Sequence, residues 1–456
     1  MSNSLYTKFV SGYLFPLHEQ LKSHRSVAIR QSLEQSQWLT TDEILTEQSQ
    51  RLHRFITEVY HNVPYYQTMF DSLNLKPEDI KTVADLSKLP FITKPLISEN
   101  FDQIISTKAG KMIKGCTAGS SGTPLSFLLG MERVSHDVAQ KWRATRWWGV
   151  DIGDKEQVVW GSPIELGAQD RVRQIRDLMF RTQLLPAFDL TPEKIQQFLE
   201  QIQSYRPKML FGYPSVYEVL AKYAVTHGIV LDNLGIKAVF VTSELLYPQQ
   251  RQLIEKVFGC QVANGYGGRD SGFIAHQCPE GGMHISAEDI VVEIVDPDGN
   301  AVANGNSGQV VVTHLGAGDF PLIRYRTGDV AKISCSSCPC GRGLPMLEDI
   351  HGRTTDFVVA LDGRLMHGAA LTYAMRELED IVNYKIIQHS KELTQVLLVT
   401  KSGELSLAIV DEIRTQFQQR LGQDVAIEIE LREEIPAEKS GKYRFLVSHA
   451  VTDSVI

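Results

Sequence analysis

From about residue 130 to 265, short apolar runs alternate with helix-like segments, and this alternation restricts the fold more than any other property of the chain. Val158-Val159-Trp160, Met209-Leu210-Phe211, Ala238-Val239-Phe240-Val241 and Gln261-Val262-Ala263 read as strands. Helical patterns occupy 131–148, 191–205, 214–227 and 248–258. The second of these opens Thr191-Pro192-Glu193, a capping hydroxyl followed by proline in the first turn, where a missing amide costs nothing. The third opens Pro214-Ser215. Apolar strands separated by helices predict a parallel sheet covered by helices on both faces.

The period changes after residue 280. Asp289–Val295, the turn Pro297-Asp298-Gly299-Asn300 and Gly308–Val312 read as strand, turn and strand, an antiparallel segment. Residues 353–456 form a further unit: a strand, a helix at 368–379, strands at 383–389 and 395–400, a helix at 408–421 and a strand at 425–431. A hinge is expected at Gly352-Arg353-Thr354-Thr355-Asp356, and the tail 448–456 is expected to fray. Residues 1–110 read as mostly helical, punctuated by Pro64 and Pro90. Within them 42–60 has helical spacing, with a capping signal at Thr41 and Glu43-Ile44. A chain of 456 residues exceeds what one core holds. The expected class is therefore α/β. A large N-terminal domain, 1–352, carries mixed parallel sheets and a β subdomain at about 278–345; a small mobile α+β domain, 353–456, follows as a lid.

Net charge is -8, which argues against a sequence-independent nucleic-acid binder, since that needs a basic face. The first twenty residues lack the charged start, apolar run and small-residue cleavage site of a secretory signal. No stretch approaches about 18 consecutive apolar residues. The apolar run 9–16 is expected as a helix docked on the core, and the protein as cytoplasmic, with oligomerisation left open.

Four of the six cysteines, Cys278, Cys335, Cys338 and Cys340, fall in one region. Clustered cysteines in a long chain without a secretion signal point to metal before disulfides. Cys278, His284, Cys338 and Cys340 offer three thiolates and one imidazole, a set suited to tetrahedral structural zinc. Cys335-x-x-Cys338 is also good ligand spacing, so Cys335 competes for one position. Cys116 and Cys260 read as small apolar residues.

Three separated segments carry the chemistry: Thr117-Ala118-Gly119-Ser120-Ser121-Gly122-Thr123-Pro124, Tyr325-Arg326-Thr327-Gly328-Asp329 and Ser440-Gly441-Lys442. Glycines in the first let backbone amides close on phosphate oxygens, and the hydroxyls donate further bonds. It is not a Walker loop, because no Gly-Lys-Ser/Thr follows. Together with Tyr266-Gly267-Gly268-Arg269-Asp270 and Gly352-Arg353, the order resembles the adenylate-forming superfamily of acyl-CoA synthetases, peptide-synthetase adenylation domains and luciferases, over about residues 50 to 446. Cys278–His284, Phe320–Asp329 and Cys338-Pro339-Cys340-Gly341-Arg342 look like its phenylacetate-CoA ligase branch. Phe15-Pro16-Leu17-His18 is most similar to members encoded with capsular polysaccharide genes.

The resemblance implies site roles. Ser120, Ser121, Gly122 and Thr123 would clasp the ATP phosphates, with Thr123 where the family often has lysine. Tyr266 would pack on adenine and Asp270, in place of the usual glutamate, would hold magnesium. Asp329 would accept from both ribose hydroxyls, a task that suits a carboxylate. Glu244 and Asn264, at strand ends, would line the adenine pocket. Arg353 would lie near ribose and phosphate, although Thr355 stands where the family places its pivot residue. Lys442 would bring a cation to the reacting groups from a mobile lid. The branch resemblance agrees with the zinc set.

The leading expectation is an ATP-dependent ligase that forms an acyl-AMP and transfers the acyl group to CoA. Its acid-binding pocket is expected near Trp160, Phe211-Gly212-Tyr213 and Ala263-Asn264-Gly265. An amine acceptor is the alternative. A non-catalytic nucleotide-binding homologue is a third reading, supported by Thr123, Asp270 and Thr355.

Overall fold

A computed structural model describes residues 4–116, 125–160, 171–187, 191–350 and 357–450, apart from 364, 368–370, 372–373, 376–377, 379 and 437–444. The expected parallel and antiparallel portions form one sheet of eleven strands among the described residues. Its order is Ile290–Val295, Gly308–His314, Tyr325–Ile333, Met346–Glu348, Met283–Ile285, Gly272–Gln277, Gln261–Gly268, Ala238–Val241, Met209–Gly212, Glu156–Trp160 and Thr182–Pro186. The last five pair in parallel. The sheet turns antiparallel at the hairpin Gln261–Gly268/Gly272–Gln277.

The helices between the parallel strands start where the sequence places them. Pro192–Tyr205 is capped by the Thr191 hydroxyl, and Pro248–Phe258 matches its predicted span. Their apolar sides, with Leu199, Tyr217 and Leu220, bury against Leu210, Val239 and Val262 of the sheet. The N-terminal helices cover the antiparallel half, where Leu52, Ile56 and Val59 meet Ile290, Val310 and Tyr325. The predicted 42–60 helix spans Thr41–Asn62, and its cap is Thr40 rather than Thr41. Thr40 accepts from the Glu43 amide at 3.3 Å and Glu43 accepts from the Thr40 amide at 2.8 Å. The true Thr-x-x-Glu box therefore sits one residue earlier.

Asp289 is fully buried and ties these layers together. It takes Arg51 at 2.9 Å, His136 at 2.8 Å and the Gln140 amide at 2.6 Å. Beside it Glu288 accepts Arg143 at 2.6 Å. Burial alone would lower the His136 pKa, but the Asp289 carboxylate outweighs it and raises the imidazole to about 9. Removing one partner of such a pair costs about 3–5 kcal/mol, because a buried charge is left unmatched.

Near the C-terminus a second sheet runs Ala426–Leu431, Leu393–Thr400, Ile381–Gln388, Leu446–Ser448, and its core includes Phe417 of the helix Leu407–Leu421. The hairpin Phe357–Val359/Leu365–His367 precedes it. Of the predicted helix 368–379, Leu371, Ala374 and Met375 are helical, Leu378 is not, and the rest lies outside the described residues, as does the expected hinge. The expectation of a frayed tail is corrected at its first residues, and 451–456 lie outside the described residues. Ser448 pairs with Gln388 in a parallel ladder and is buried, its hydroxyl donating to the Gln388 side chain at 2.8 Å. Among the described residues, no helix is long and apolar enough to cross a membrane.

Candidate active site and metal centre

The carboxyl ends of the parallel strands are level: Val159, Gly212, Val241 and Asn264 stand side by side in register. Ligands of open α/β sheets bind beyond such ends. Trp160 and Tyr213 stack there with ring centroids 4.3 Å apart, and Phe211 stacks on Trp160 at 5.8 Å. Glu244 follows Ser243, which is held at φ 72°, a conformation costly for a residue with a side chain. The Glu244 carboxylate accepts from the Ser215 amide at 3.2 Å, so it caps the helix Pro214–Thr226 at this edge. Asn264 is half-buried on the neighbouring strand, its amide donating to Gln277 at 3.2 Å.

Two segments meet beside this edge, and each is built to expose an aspartate. Gly268 pairs with Gly272, which leaves Arg269-Asp270-Ser271 as the hairpin tip. Gly267 allows the close approach, since a Cβ there would lie 2.0 Å from the Gly272 carbonyl oxygen. Opposite, the ladder shifts register between Gln309 and Val311, so Thr327-Gly328-Asp329 bulges from its strand. The Thr327 hydroxyl donates to the Val310 carbonyl at 3.0 Å and accepts from the Asp329 amide at 3.1 Å, which fixes the bulge.

The two segments clasp each other. Tyr266 donates its hydroxyl to Asp329 at 2.7 Å, and Tyr325 donates to Asp270 at 2.6 Å. Each is a tyrosine followed four residues later by an aspartate, and each tyrosine holds the aspartate of the other. Asp270 also accepts from the Ser271 amide at 3.1 Å. Burial, then the Asp329 charge, holds the Tyr266 phenol well above its ordinary pKa, so it remains a donor at neutral pH. The sequence marked Tyr266, Asp270 and Asp329 but gave Tyr325 no role. The repeated Tyr-x-x-x-Asp spacing was the available signal. Ser120, Ser121, Gly122, Thr123, Arg353 and Lys442 lie outside the described residues.

Cys278, His284, Cys338 and Cys340 converge, with their ligand atoms all within 4.8 Å of one another. The Cys278 and Cys338 sulfurs are 3.6 Å apart, and His284 Nε2 is 3.2 Å from the Cys340 sulfur. A tetrahedron with zinc–sulfur bonds of about 2.3 Å has edges of about 3.7 Å, so these separations suit that ion. His284 Nδ1 lies 3.3 Å from the Leu344 carbonyl, which leaves Nε2 to face the thiols. Tight turns present the ligands, with Gly281 and Gly341 amides donating to the Cys278 and Cys338 carbonyls. A Cβ on Gly282 would come within 2.7 Å of the Cys338 sulfur. Burial pushes the Cys278 thiol up to about 12, a shift that a bound dication reverses. Cys335 is exposed and outside this cluster, so the competing assignment fails. A metal bound there would staple the Gly272–Gln277 and Met283–Ile285 strands to the loop before Met346–Glu348.

Residues 358–449 match the model of the CapK C-terminal domain. The chain is 26% identical to Protein CapK of Staphylococcus aureus over 417 residues, 88% of each chain. It is 23% identical to the phenylacetate-coenzyme A ligase of Thermus thermophilus over 85% of each. Its fold matches 2-hydroxyisobutyryl-CoA ligase, crystallised in the postadenylation state with an acyl-AMP ligand, at TM-score 0.73 and 20% identity over 91% of both chains. With the motif order, the fold and the clasped acids in place, these likenesses support the adenylate-forming superfamily for this chain, on its phenylacetate-CoA ligase branch near CapK.

Proposed function

We propose that this chain is an AMP-forming acid–thiol ligase that activates a carboxylic acid with ATP and passes the acyl group to coenzyme A. The crossed tyrosine–aspartate clasp carries the reading, because it brings together the two acids that nucleotide binding requires. The phenylacetate-coenzyme A ligase relatives, aligned over most of both chains, support it.

Asp329 accepts from the ribose hydroxyls. Asp270 keeps lone pairs beyond the two hydrogen bonds it accepts among the described residues and can hold magnesium, which would neutralise phosphate charge. Glu244, Asn264 and Tyr266 line the adenine pocket. Ser120, Ser121, Gly122 and Thr123 clasp the phosphates, and Arg353 lies near ribose and phosphate. The substrate carboxylate attacks the α-phosphorus, the bond to the bridging oxygen breaks, and pyrophosphate leaves. Lys442 stabilises the charge that develops there. The coenzyme A thiolate then attacks the acyl carbon and AMP departs. Residues 353–456 act as the lid domain that moves between these steps, rotating on residues 1–352. Zinc at the cysteine–histidine centre is structural, since its four ligands leave no open position. The protein works in the cytoplasm.

Carboxylate-dependent ATP–pyrophosphate exchange tests the proposal. Lys442→Ala is expected to lower exchange by about a hundredfold or more while ATP binding stays nearly unchanged. Full activity in that variant sinks the mechanism, and no exchange with any acid in a broad panel favours a nucleotide-binding homologue. Offering the adenylate coenzyme A against amines decides the acceptor, and amide as the sole product rejects the thiol.

A further inference from the structure

Arg342 follows the cysteine Cys340 by two residues, and its side chain is fixed on every side by groups that carry no charge. The guanidinium lies over two indole rings, 4.9 Å from the centroid of Trp38 and 4.6 Å from that of Trp147. Its Nε donates to the Gln37 side-chain oxygen at 3.1 Å, and the Trp147 indole donates to the same oxygen at 2.8 Å. Gln37 is buried, and its amide nitrogen donates to the Glu34 carbonyl at 2.9 Å, which turns the oxygen toward this pair. Trp147 continues to the metal centre. Its ring meets His284 edge-on at 5.7 Å and packs against Cys278 and Cys338.

Backbone contacts extend this docking. The Gly343 amide donates to the Gln37 carbonyl at 3.1 Å, and the Thr41 hydroxyl donates to the Gly343 carbonyl at 2.8 Å. A Cβ on Gly343 would lie 1.9 Å from the Leu39 carbonyl oxygen, so the approach requires glycine. The loop that carries Cys340 is thus seated on residues 37–41, the link between the helices Ser26–Ser36 and Thr41–Asn62.

The neighbouring arginines have acids. Arg143, 5.5 Å from the same Trp147 ring, pairs with Glu288, and Arg146 pairs with Glu34 and Asp151. Arg342 has a neutral amide and two rings, and among the described residues no carboxylate pairs with it. Its charge is nonetheless felt at Cys340 and His284. Three thiolates and a neutral imidazole around a dication leave one net negative charge. A guanidinium, weakly hydrated and able to stack on aromatic faces, suits a half-buried place beside such an anion. We propose that Arg342 is the counter-cation of the metal centre, and that its stack on Trp38 and Trp147 couples metal occupancy to residues 37–41. The inference rests on the reading of the centre as a zinc site. Because linkage is reciprocal, an arginine that favours the loaded anion is itself held more firmly when metal is bound, and the N-terminal helices are fastened more firmly with it.

Zinc affinity of the full chain, measured by competition with a chromophoric chelator, tests the proposal. Arg342→Met is expected to bind zinc about 10–100-fold more weakly, and Arg342→Lys, which keeps the charge, to recover most of the loss. Trp38→Leu removes one stacking face and is expected to weaken zinc about 2–5-fold. Removing zinc from the wild type should also speed amide hydrogen exchange at residues 37–41. Unchanged zinc affinity in Arg342→Met, a lysine variant no better than the methionine one, or exchange at 37–41 indifferent to zinc removal overturns the proposal. A wild type that binds no zinc overturns it together with the zinc reading, whereas tight zinc in both wild type and Arg342→Met overturns this proposal alone. Should Arg342→Met not fold, Trp38→Leu decides. Trp38 is 56% exposed, so its loss spares the core, and unchanged zinc affinity in that variant sinks the idea.

Discussion

Tyr325→Phe is the sharpest perturbation of the candidate active site. It deletes one oxygen from a ring that is 1% exposed and otherwise unchanged. The lost bond is a hydroxyl donated to the Asp270 carboxylate at 2.6 Å. Hydrogen bonds to charged groups contribute about 1.5–3 kcal/mol. Asp270 is only half-buried, so water replaces part of the loss and about 1–2 kcal/mol is the fair expectation. If Asp270 holds magnesium, that energy appears as metal-dependent nucleotide affinity. Titration calorimetry of ATP should show binding about 5–30-fold weaker with magnesium present and much less change in its absence. Tyr266→Phe should weaken AMP binding in both conditions, because its partner Asp329 is the acid proposed to accept from the ribose hydroxyls. A mutant cycle isolates the coupling: adding Tyr325→Phe to Asp270→Asn should cost nothing further. Additive losses, or a Tyr325→Phe protein with wild-type magnesium dependence, would refute the claim that Tyr325 acts through Asp270.

The cysteine–histidine centre should bind one zinc per chain by elemental analysis, and Cys338→Ser should lose it and melt at least about 10 °C lower; a zinc-free protein of unchanged stability defeats the staple. The His136–Asp289 pair makes a pH prediction. The His136 pKa is raised to about 9 in the folded state, so its contribution is complete below about 6.5 and disappears as pH rises to 9. The shift corresponds to about 3 kcal/mol, and His136→Gln should flatten the fall in melting temperature across that window; an unchanged slope rejects it.

Much of the fold could be read from the chain because it rests on local rules. Thr191-Pro192 starts a helix by supplying a cap and a preset φ, and the apolar run Ala238–Val241 reads as a strand buried on both faces. The error at the Thr41–Asn62 helix has the same origin. Adjacent threonines offer the same chemistry, and only backbone geometry selected Thr40. The strands Gly272–Gln277, Met283–Ile285 and Tyr325–Ile333 were not anticipated, since they are short or interrupted by bulges and are stabilised by neighbours distant in sequence.

The sequence by itself determined the residue types, namely the Tyr-x-x-x-Asp segments and the three thiols with one imidazole, and the alternation of helices and strands over 191–263. These depend on side-chain chemistry and on spacings of a few residues. Tertiary structure decided the pairings. Tyr266 reaches Asp329 and Tyr325 reaches Asp270 only because the strands Gln261–Gly268 and Tyr325–Ile333 lie in one sheet, and a register shift frees Asp329. It also left Cys335 outside the cluster of Cys278, His284, Cys338 and Cys340. Such contacts join residues far apart in the chain, and only long-range packing fixes which of the possible partners meet.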